Sequence, residues 1–346
     1  MTTQNVLKGK RILFLSVKTF NYENEIALQL RNLGAIVDYY DERPANSIFV
    51  KGIIRSKRNW YQVQIDKYYK YILKRIDGNH YDFLFVIKGE VIPKFFLESF
   101  KHKNSNCKSI FYIWDSFANS SHSLSILPYF DECFTFDPVD AQKFKINFRP
   151  LFYIEKYGNL NKRTFNKYDF DLLFIGTAHS DRYIISNKII SWCKKNGLNS
   201  FAYYFMPSKL VFVYKKFFDK SFKQIDYSKI SFASLQTDSI LDLYTRSSII
   251  LDINHPNQSG LTMRTFEALG AGKKLITTNS NIKKYPFFNE NNICVIDRKM
   301  INMKNEFFNT PFISIEPQLL FDMSITGWIN EIFCAKTSNY WIKNTN

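Results

Sequence analysis

Short apolar runs alternate with amphipathic stretches along most of the chain, the pattern of βα units built around a parallel sheet. In the first half, Arg11–Val17, Ile36–Tyr40, Asp82–Ile87, Ser109–Trp114 and Glu132–Phe136 predict strands, followed by an extended piece over Phe148–Ile154. Apolar positions at helical spacing predict helices over Glu23–Leu33, about Trp60–Ile76, after Pro93 and over Val139–Phe144. The polar stretch Glu155–Lys167 carries Gly158 and several asparagines and reads as a linker. The alternation then restarts. Strands are predicted at Phe170–Ile175, Phe201–Phe205, Ser248–Ile253, Lys274–Thr278 and Ile293–Ile296, and helices at Tyr183–Asn196 and Thr262–Leu269. The fold class expected is α/β, with two Rossmann-like domains in series over 1–155 and 168–324. A closing amphipathic helix, Ile325–Ala335, begins a C-terminal segment 325–346.

Composition narrows this picture without choosing a function. The 346 residues suit two domains of ordinary size, and 45% hydrophobic residues can fill two cores. A formal charge of +16 suits a partner that is nucleic acid, anionic lipid or a phosphorylated small molecule, or simply a lysine-rich surface. The five cysteines are scattered and odd in number, with no C-x-x-C pair, which argues against disulfides and structural zinc and for reduced thiols in a cytoplasmic protein. Basic residues precede the run Ile12–Val17, but it is too short for the core of a signal peptide. No stretch approaches the ~20 apolar residues that span a bilayer.

Candidate chemistry concentrates in Ile249–Asn279, IILDINHPNQSGLTMRTFEALGAGKKLITTN. A strand ends at Asp252, a loop with Pro256 and Gly260 follows, and a helix opens near Leu261 or Thr262. Loops at the carboxyl ends of parallel strands are where such sheets bind ligands. A helix N-terminus there offers unpaired N–H groups and a partial positive charge to a phosphate. Arg264 on the first turn adds a bidentate donor, and Glu267 one turn on can accept from two ribose hydroxyls. Equally, Arg264 and Glu267 are spaced as an ordinary surface pair on a helix.

RTFEALGAGKKLITTN resembles the donor-site motif of GT-B glycosyltransferases, especially the CgeB-like and group 1 types, and FIGTAHSDR at Phe174–Arg182 resembles the opening of the same family's C-terminal domain. The resemblance implies two Rossmann-like domains facing across a cleft, an N-terminal acceptor domain and a C-terminal domain for a nucleotide-diphospho-sugar. It implies that Glu267 binds the ribose and that Ser259, Gly260, Leu261 and Thr262 hold the diphosphate, with Arg264 alongside. Gly176 and Thr177 would face the donor, Arg182 would reach a phosphate or merely start a helix, and His255 would line the pocket. No cofactor is implied beyond the nucleotide-sugar co-substrate, UDP-linked by default. Many retaining members carry a second glutamate where this chain has Ser259, so retaining and inverting courses both stay open.

An inverting transferase needs a base for the acceptor hydroxyl. Asp115, after the predicted strand IFYIW, is the first choice and Glu90, after LFVIKG, the second; either can equally cap a helix or loop. His179 has a side chain suited to proton transfer near neutral pH. Asp169-Phe170-Asp171 is formally a D-x-D, but it precedes a strand, on the edge of the sheet away from ligands, so no metal site is expected. No G-x-G-x-x-G follows the first strand and no P-loop occurs. The basic, aromatic segments Lys51–Arg75 and Lys209–Lys223 suit an anionic membrane surface or ordinary amphipathic packing. The partners expected are a nucleotide-sugar donor and a glycan or lipid-linked acceptor of bacterial surface polysaccharide, such as capsule or O-antigen. Peripheral contact with the inner face of the membrane is possible, and no nucleic acid is expected. A GT-B-fold sugar-nucleotide epimerase and a non-enzymatic basic binding protein are the alternatives.

Overall fold

The computed structural model describes residues 7–162, 167–178, 181–334 and 339–342. The chain divides into two compact units. One runs through Pro150 and takes in the helix Ile325–Phe333; the other spans Leu151–Ser324 with Tyr340 and Trp341.

The first unit is built on six parallel strands: β1 (Arg11–Ser16), β2 (Ile36–Asp41), β3 (Phe83–Ile87), β4 (Lys108–Ile113), β5 (Glu132–Thr135) and β6 (Asn147–Phe148). Their order is β2-β1-β3-β4-β5-β6, with Leu13 of β1 opposite both Asp38 and Leu84. Parallel strands covered on both faces must be apolar on both, and β1, β3 and β4 are buried almost throughout. The chain leaves β1 for β2 and returns to β3 on the other side, so a topological switch point lies between β1 and β3.

Two expectations need correction here. The helix expected to begin at Trp60 starts at Gln62, and a further helix, Ile48–Lys57, precedes it, capped by the Ser47 hydroxyl accepting from the Val50 N–H at 3.2 Å. The extended piece expected over Phe148–Ile154 pairs only at Asn147–Phe148. Pro150 has no N–H to continue a ladder, and Tyr153 instead makes an isolated bridge to Ser324.

The helix Ile325–Phe333 returns from the far end of the sequence to the first sheet. Trp328 is fully buried, its ring 4.8 Å from that of Tyr112, and Phe333 packs edge-on against Phe83 and Phe85. Glu331 meets the buried Arg149 at 2.6 Å.

The second unit repeats the plan with β7 (Phe170–Thr177), β8 (Ser200–Phe205), β9 (Ile230–Ser231), β10 (Ser247–Asp252), β11 (Lys274–Thr277) and β12 (Ile293–Val295). The order is β12-β11-β10-β7-β8-β9, all parallel, which sets its switch point between β7 and β10. Leu172, Phe174, Ile249, Leu251 and Ile276 form its core with the helix Arg182–Lys195.

The stretch expected to be a linker is a helix over Glu155–Asn161, because Tyr157 and Leu160, one turn apart, are both buried. It packs against the helix Met263–Gly270 that joins β10 to β11. A Cβ at Gly270 would run into the Tyr153 ring, and Gly272 adopts φ +66°, so the two glycines serve close packing and the turn. Asp169 and Asp171 flank the start of β7, Asp169 paired with Arg246 at 2.6 Å and Asp171 accepting from the Asn199 N–H at 2.8 Å.

Replacing Glu331 with Ala leaves Arg149 charged and buried without this carboxylate, which is expected to cost the first unit about 3–5 kcal/mol. Urea unfolding followed by tryptophan fluorescence reads that loss.

Candidate active site

At the carboxyl end of β10, Asp252 is buried and accepts from two threonine hydroxyls, Thr262 at 2.7 Å and Thr265 at 3.0 Å. Thr262 is the N-cap of the helix Met263–Gly270, yet its side chain makes no bond to the helix's own N–H groups. A hydroxyl donating to a carboxylate still has lone pairs, but here the cap is turned toward the strand end. The Thr265 N–H bonds back to the Thr262 carbonyl at 3.1 Å. Those of Met263 and Arg264 have no acceptor within the helix, as the first turn of any helix requires.

The loop between strand and helix is held by amides. The carbonyls of Ser259 and Gly260 accept from Asn279 at 3.2 Å, Ser259 also from Asn281 at 3.3 Å, and Gly260 also from Gln258 at 2.9 Å. Gly260 is buried, and so is Leu261, whose side chain belongs to the core; only its backbone can serve a ligand. His255 is exposed at the loop tip, its Nδ1 accepting from the Asn257 N–H at 3.3 Å.

Arg264, Arg182 and Arg298 gather around this strand end. Nη1 of Arg264 is buried and meets no hydrogen-bond partner among the described residues. Burial opposes its charge, but Tyr244, Glu267, Tyr157 and Asp252 outweigh that and hold its pKa above the ordinary arginine value. Arg182 donates to the Thr177 hydroxyl at 3.2 Å, at the end of β7. Its pKa is lowered, by burial first, with the like charges of Arg264 and Arg298 pushing the same way against Asp252 and Asp181. Arg298 ties the edge together, bonding Asp181 at 2.8 Å and the Asn254 carbonyl at 2.6 Å. Three guanidiniums thus share one electrostatic neighbourhood, one of them on the first turn of a helix, an arrangement suited to a polyanion. Gly176 lies one residue before Thr177, and a Cβ there would come within 2.7 Å of the Phe174 ring, so packing alone accounts for this glycine. His179 lies outside the described residues.

Glu267 is buried behind Arg264 and accepts from the Tyr244 hydroxyl at 3.3 Å; Tyr157 hydrogen-bonds to it as well. The two phenol rings pack edge to face, 5.0 Å apart. An ionised carboxylate offers about four acceptor positions, so two phenols fix its rotamer while leaving capacity for ribose hydroxyls. Sequence reasoning missed Asp252 as the organising carboxylate, and Arg298, Tyr157 and Tyr244 entirely. A tyrosine at helical spacing inside Glu155–Asn161 was the one local signal available.

At the same edge of the first sheet, Lys88 follows β3 with φ +84°, a left-handed conformation that costs a non-glycine residue about 1–3 kcal/mol. Its surroundings enforce it. Glu42 accepts from the N–H groups of Gly89 at 3.0 Å and Val91 at 2.6 Å, and Ser123 donates to the Lys88 carbonyl at 2.7 Å. Phe20 and Asn21, after β1, are also left-handed, and the Phe20 side chain is exposed.

Lys88 reaches Asp115 at 3.5 Å and Glu90 at 3.6 Å. Glu90 is nearly buried and also gripped by Arg43, so two cations already hold its carboxylate. Asp115 is the more open of the two carboxylates and pairs with Lys88. Glu42 is fully buried, and burial, reinforced by Glu90, pushes its carboxyl up to about 8 against the Val91 N–H and the Arg43 and Lys88 charges.

No protein-family model and no curated protein matches the chain. Solved structures do. An alpha-glucosyltransferase in complex with UDP and a 13-mer DNA containing a central A:G mismatch superposes with a TM-score of 0.59 at 13% identity, covering 94% of this chain and 97% of that one. The catalytic domain of Starch Synthase IV from Arabidopsis thaliana, bound to ADP and acarbose, follows at TM-score 0.50 and 8% identity, covering 96% of each. The chain has the GT-B fold. Within that fold, the three-arginine edge lies on the C-terminal unit and the Lys88–Asp115 edge on the N-terminal one.

Two outcomes follow from the surroundings of Arg264 and Glu42. Arg264→Gln removes a buried, charge-assisted donor and is expected to weaken inorganic pyrophosphate binding by about 10–100-fold, read by isothermal titration calorimetry. Because folding raises the Glu42 pKa above its ordinary 4.5, its contribution to stability is complete below that pH and lost as pH rises toward about 8. Denaturation midpoints across that window should fall for the native chain and fall less for Glu42→Gln.

Proposed function

We propose that this protein is a glycosyltransferase that moves a sugar from a nucleotide-diphospho-sugar, UDP-linked by default, to a glycan or lipid-linked acceptor. The observation that carries the reading is Arg264, half-buried on the first turn of a helix with Nη1 unpartnered, in the same electrostatic cluster as Arg182 and Arg298. A diphosphate offers acceptors in number to these guanidiniums and to the helix N–H groups, and Glu267 is one helical turn away to take the ribose. The two solved structures named above carry UDP and ADP, which fits a nucleotide in that place.

In the proposed reaction, an acceptor hydroxyl held on the N-terminal unit gives its proton to Asp115 as its oxygen bonds to the anomeric carbon. The bond from that carbon to the diphosphate oxygen breaks, and the electron pair leaves with the nucleoside diphosphate. Arg264, Arg182 and the first N–H groups of the helix Met263–Gly270 stabilise the departing charge. Guanidiniums in this number neutralise what a divalent metal neutralises elsewhere, so the proposed reaction is metal-independent and survives a chelator. The reading extends to an enzyme of surface-polysaccharide synthesis at the cytoplasmic face of a bacterial membrane.

Thermal unfolding against a panel of nucleotides and nucleotide sugars is the first test. A donor at 100 times its dissociation constant should stabilise the protein by about 2.7 kcal/mol. If no sugar nucleotide shifts the midpoint, the reading is wrong. With the donor in hand, Asp115→Asn should lower turnover about 10²–10⁴-fold while nucleotide affinity stays unchanged. Transfer to duplex DNA in preference to glycans would replace the acceptor proposed here, and interconversion of sugar nucleotides without any acceptor would make the protein an epimerase.

A further inference from the structure

The helix Lys209–Phe218 of the C-terminal unit is turned the unusual way round. Leu210, Val213, Tyr214, Phe217 and Phe218 fall at i, i+3, i+4, i+7 and i+8, the spacing of a single helical face, and that face looks outward. Their exposures run from 48% at Val213 to 82% at Leu210, with Phe217 and Phe218 above 75%. The helix holds to its unit from the other side. Phe212 is buried in the core with Val211 packed against it, and Lys216 donates to the Ile225 carbonyl at 2.9 Å. The aliphatic flank is closed by Lys215 over the Phe222 ring and Lys209 over the Phe232 ring.

A stripe of five large apolar side chains in water is far more than scattered surface hydrophobes and marks a contact surface. The charge beside it selects the partner. Lys209–Lys223 carries five lysines against one acidic residue, Asp219, in a chain of net charge +16. An apolar face bordered by lysines fits a layer that is greasy within and negative at its surface. We infer that the helix Lys209–Phe218 lies in the interface of an anionic bilayer, with Leu210, Tyr214, Phe217 and Phe218 among the lipid tails. Among the described residues no helix is long and apolar enough to cross a membrane, so this helix attaches the protein from the surface. It follows β8, whose carboxyl end belongs to the same sheet edge as Thr177 and Asp252, so docking brings the anion-binding edge to the bilayer. The inference stands without the glycosyltransferase reading, since it needs no nucleotide.

The test is co-sedimentation of the full chain, without nucleotide, with vesicles of phosphatidylcholine alone or mixed with phosphatidylglycerol. The native protein should pellet with the mixed vesicles, weakly or not at all with phosphatidylcholine, and less as salt rises. The double variant Phe217→Ser, Phe218→Ser changes only exposed side chains and should keep the native thermal midpoint. Its partition onto anionic vesicles should drop about tenfold or more. Native protein that stays in the supernatant overturns the inference, and so does a variant that binds as well as the native chain. Light scattering that finds a dimer dissolved by the same variant would assign the stripe to a second copy instead. Nucleotide affinity, measured separately on the variant, should be unchanged.

Discussion

Asp252 fixes how the helix Met263–Gly270 meets the end of β10. A carboxylate buried at a strand end needs donors, and here it takes the hydroxyls of Thr262 and Thr265 on the next helix. Those two bonds set the start of the helix against the end of β10 and draw the capping threonine away from the helix's own amides. The positive end of the helix is therefore left for something else. Arg264 sits on that first turn, and Arg298 reaches from beyond β12 to bind the Asn254 carbonyl and Asp181, which brings Arg182 to the same edge. Burial lowers the Arg182 pKa first, and there Asp252 and Asp181 work against the like charges of Arg264 and Arg298.

The first unit solves a different problem at the equivalent edge. Lys88 is forced left-handed, and the force comes from a buried carboxyl, Glu42, that takes the amides on either side of Glu90. A Cβ at Gly89 would meet Phe111 and Ile126 at 2.7 Å, so the backbone is pressed onto the core just where it turns. Strain of this kind persists only where its surroundings over-determine it, and it aims the Lys88 ammonium at Asp115 and Glu90 together. The carboxylates are thereby separated in role. Glu90 is spent on Arg43 and Lys88, while Asp115 keeps an open side.

The two sheets were legible in the sequence because a parallel strand covered on both faces has to be apolar throughout, and β1, β3, β7 and β10 are such runs. The helix Glu155–Asn161 was not, since five of its seven residues are polar or glycine and only Tyr157 and Leu160 carry its burial. In the site, Arg264, Glu267, Thr262 and Arg182 were legible through local spacing around one loop and one strand end. Tyr244 and Arg298 were not, because each reaches the site from an element distant in sequence and has no motif of its own. The side chain of Leu261 enters the core, which its apolar character makes readable, and leaves its backbone as the part that can meet a ligand.

The net charge of +16 can be divided by what each cation faces. Arg149 and Arg43 are internal counter-ions, buried against Glu331 and Glu90, and contribute nothing to attraction from outside. Arg264 and Arg182 are half-buried at one strand end, Arg264 among Tyr244, Glu267, Tyr157 and Asp252 and Arg182 beside Asp252 and Asp181, so their charge acts on one small volume. Lys209 and Lys223 are exposed near an apolar stripe and Lys215 and Lys216 are half-exposed on its flank, where charge acts diffusely over a plane. In the proposed function and the proposed membrane docking, a polyphosphate and a lipid surface would draw on different members of this set.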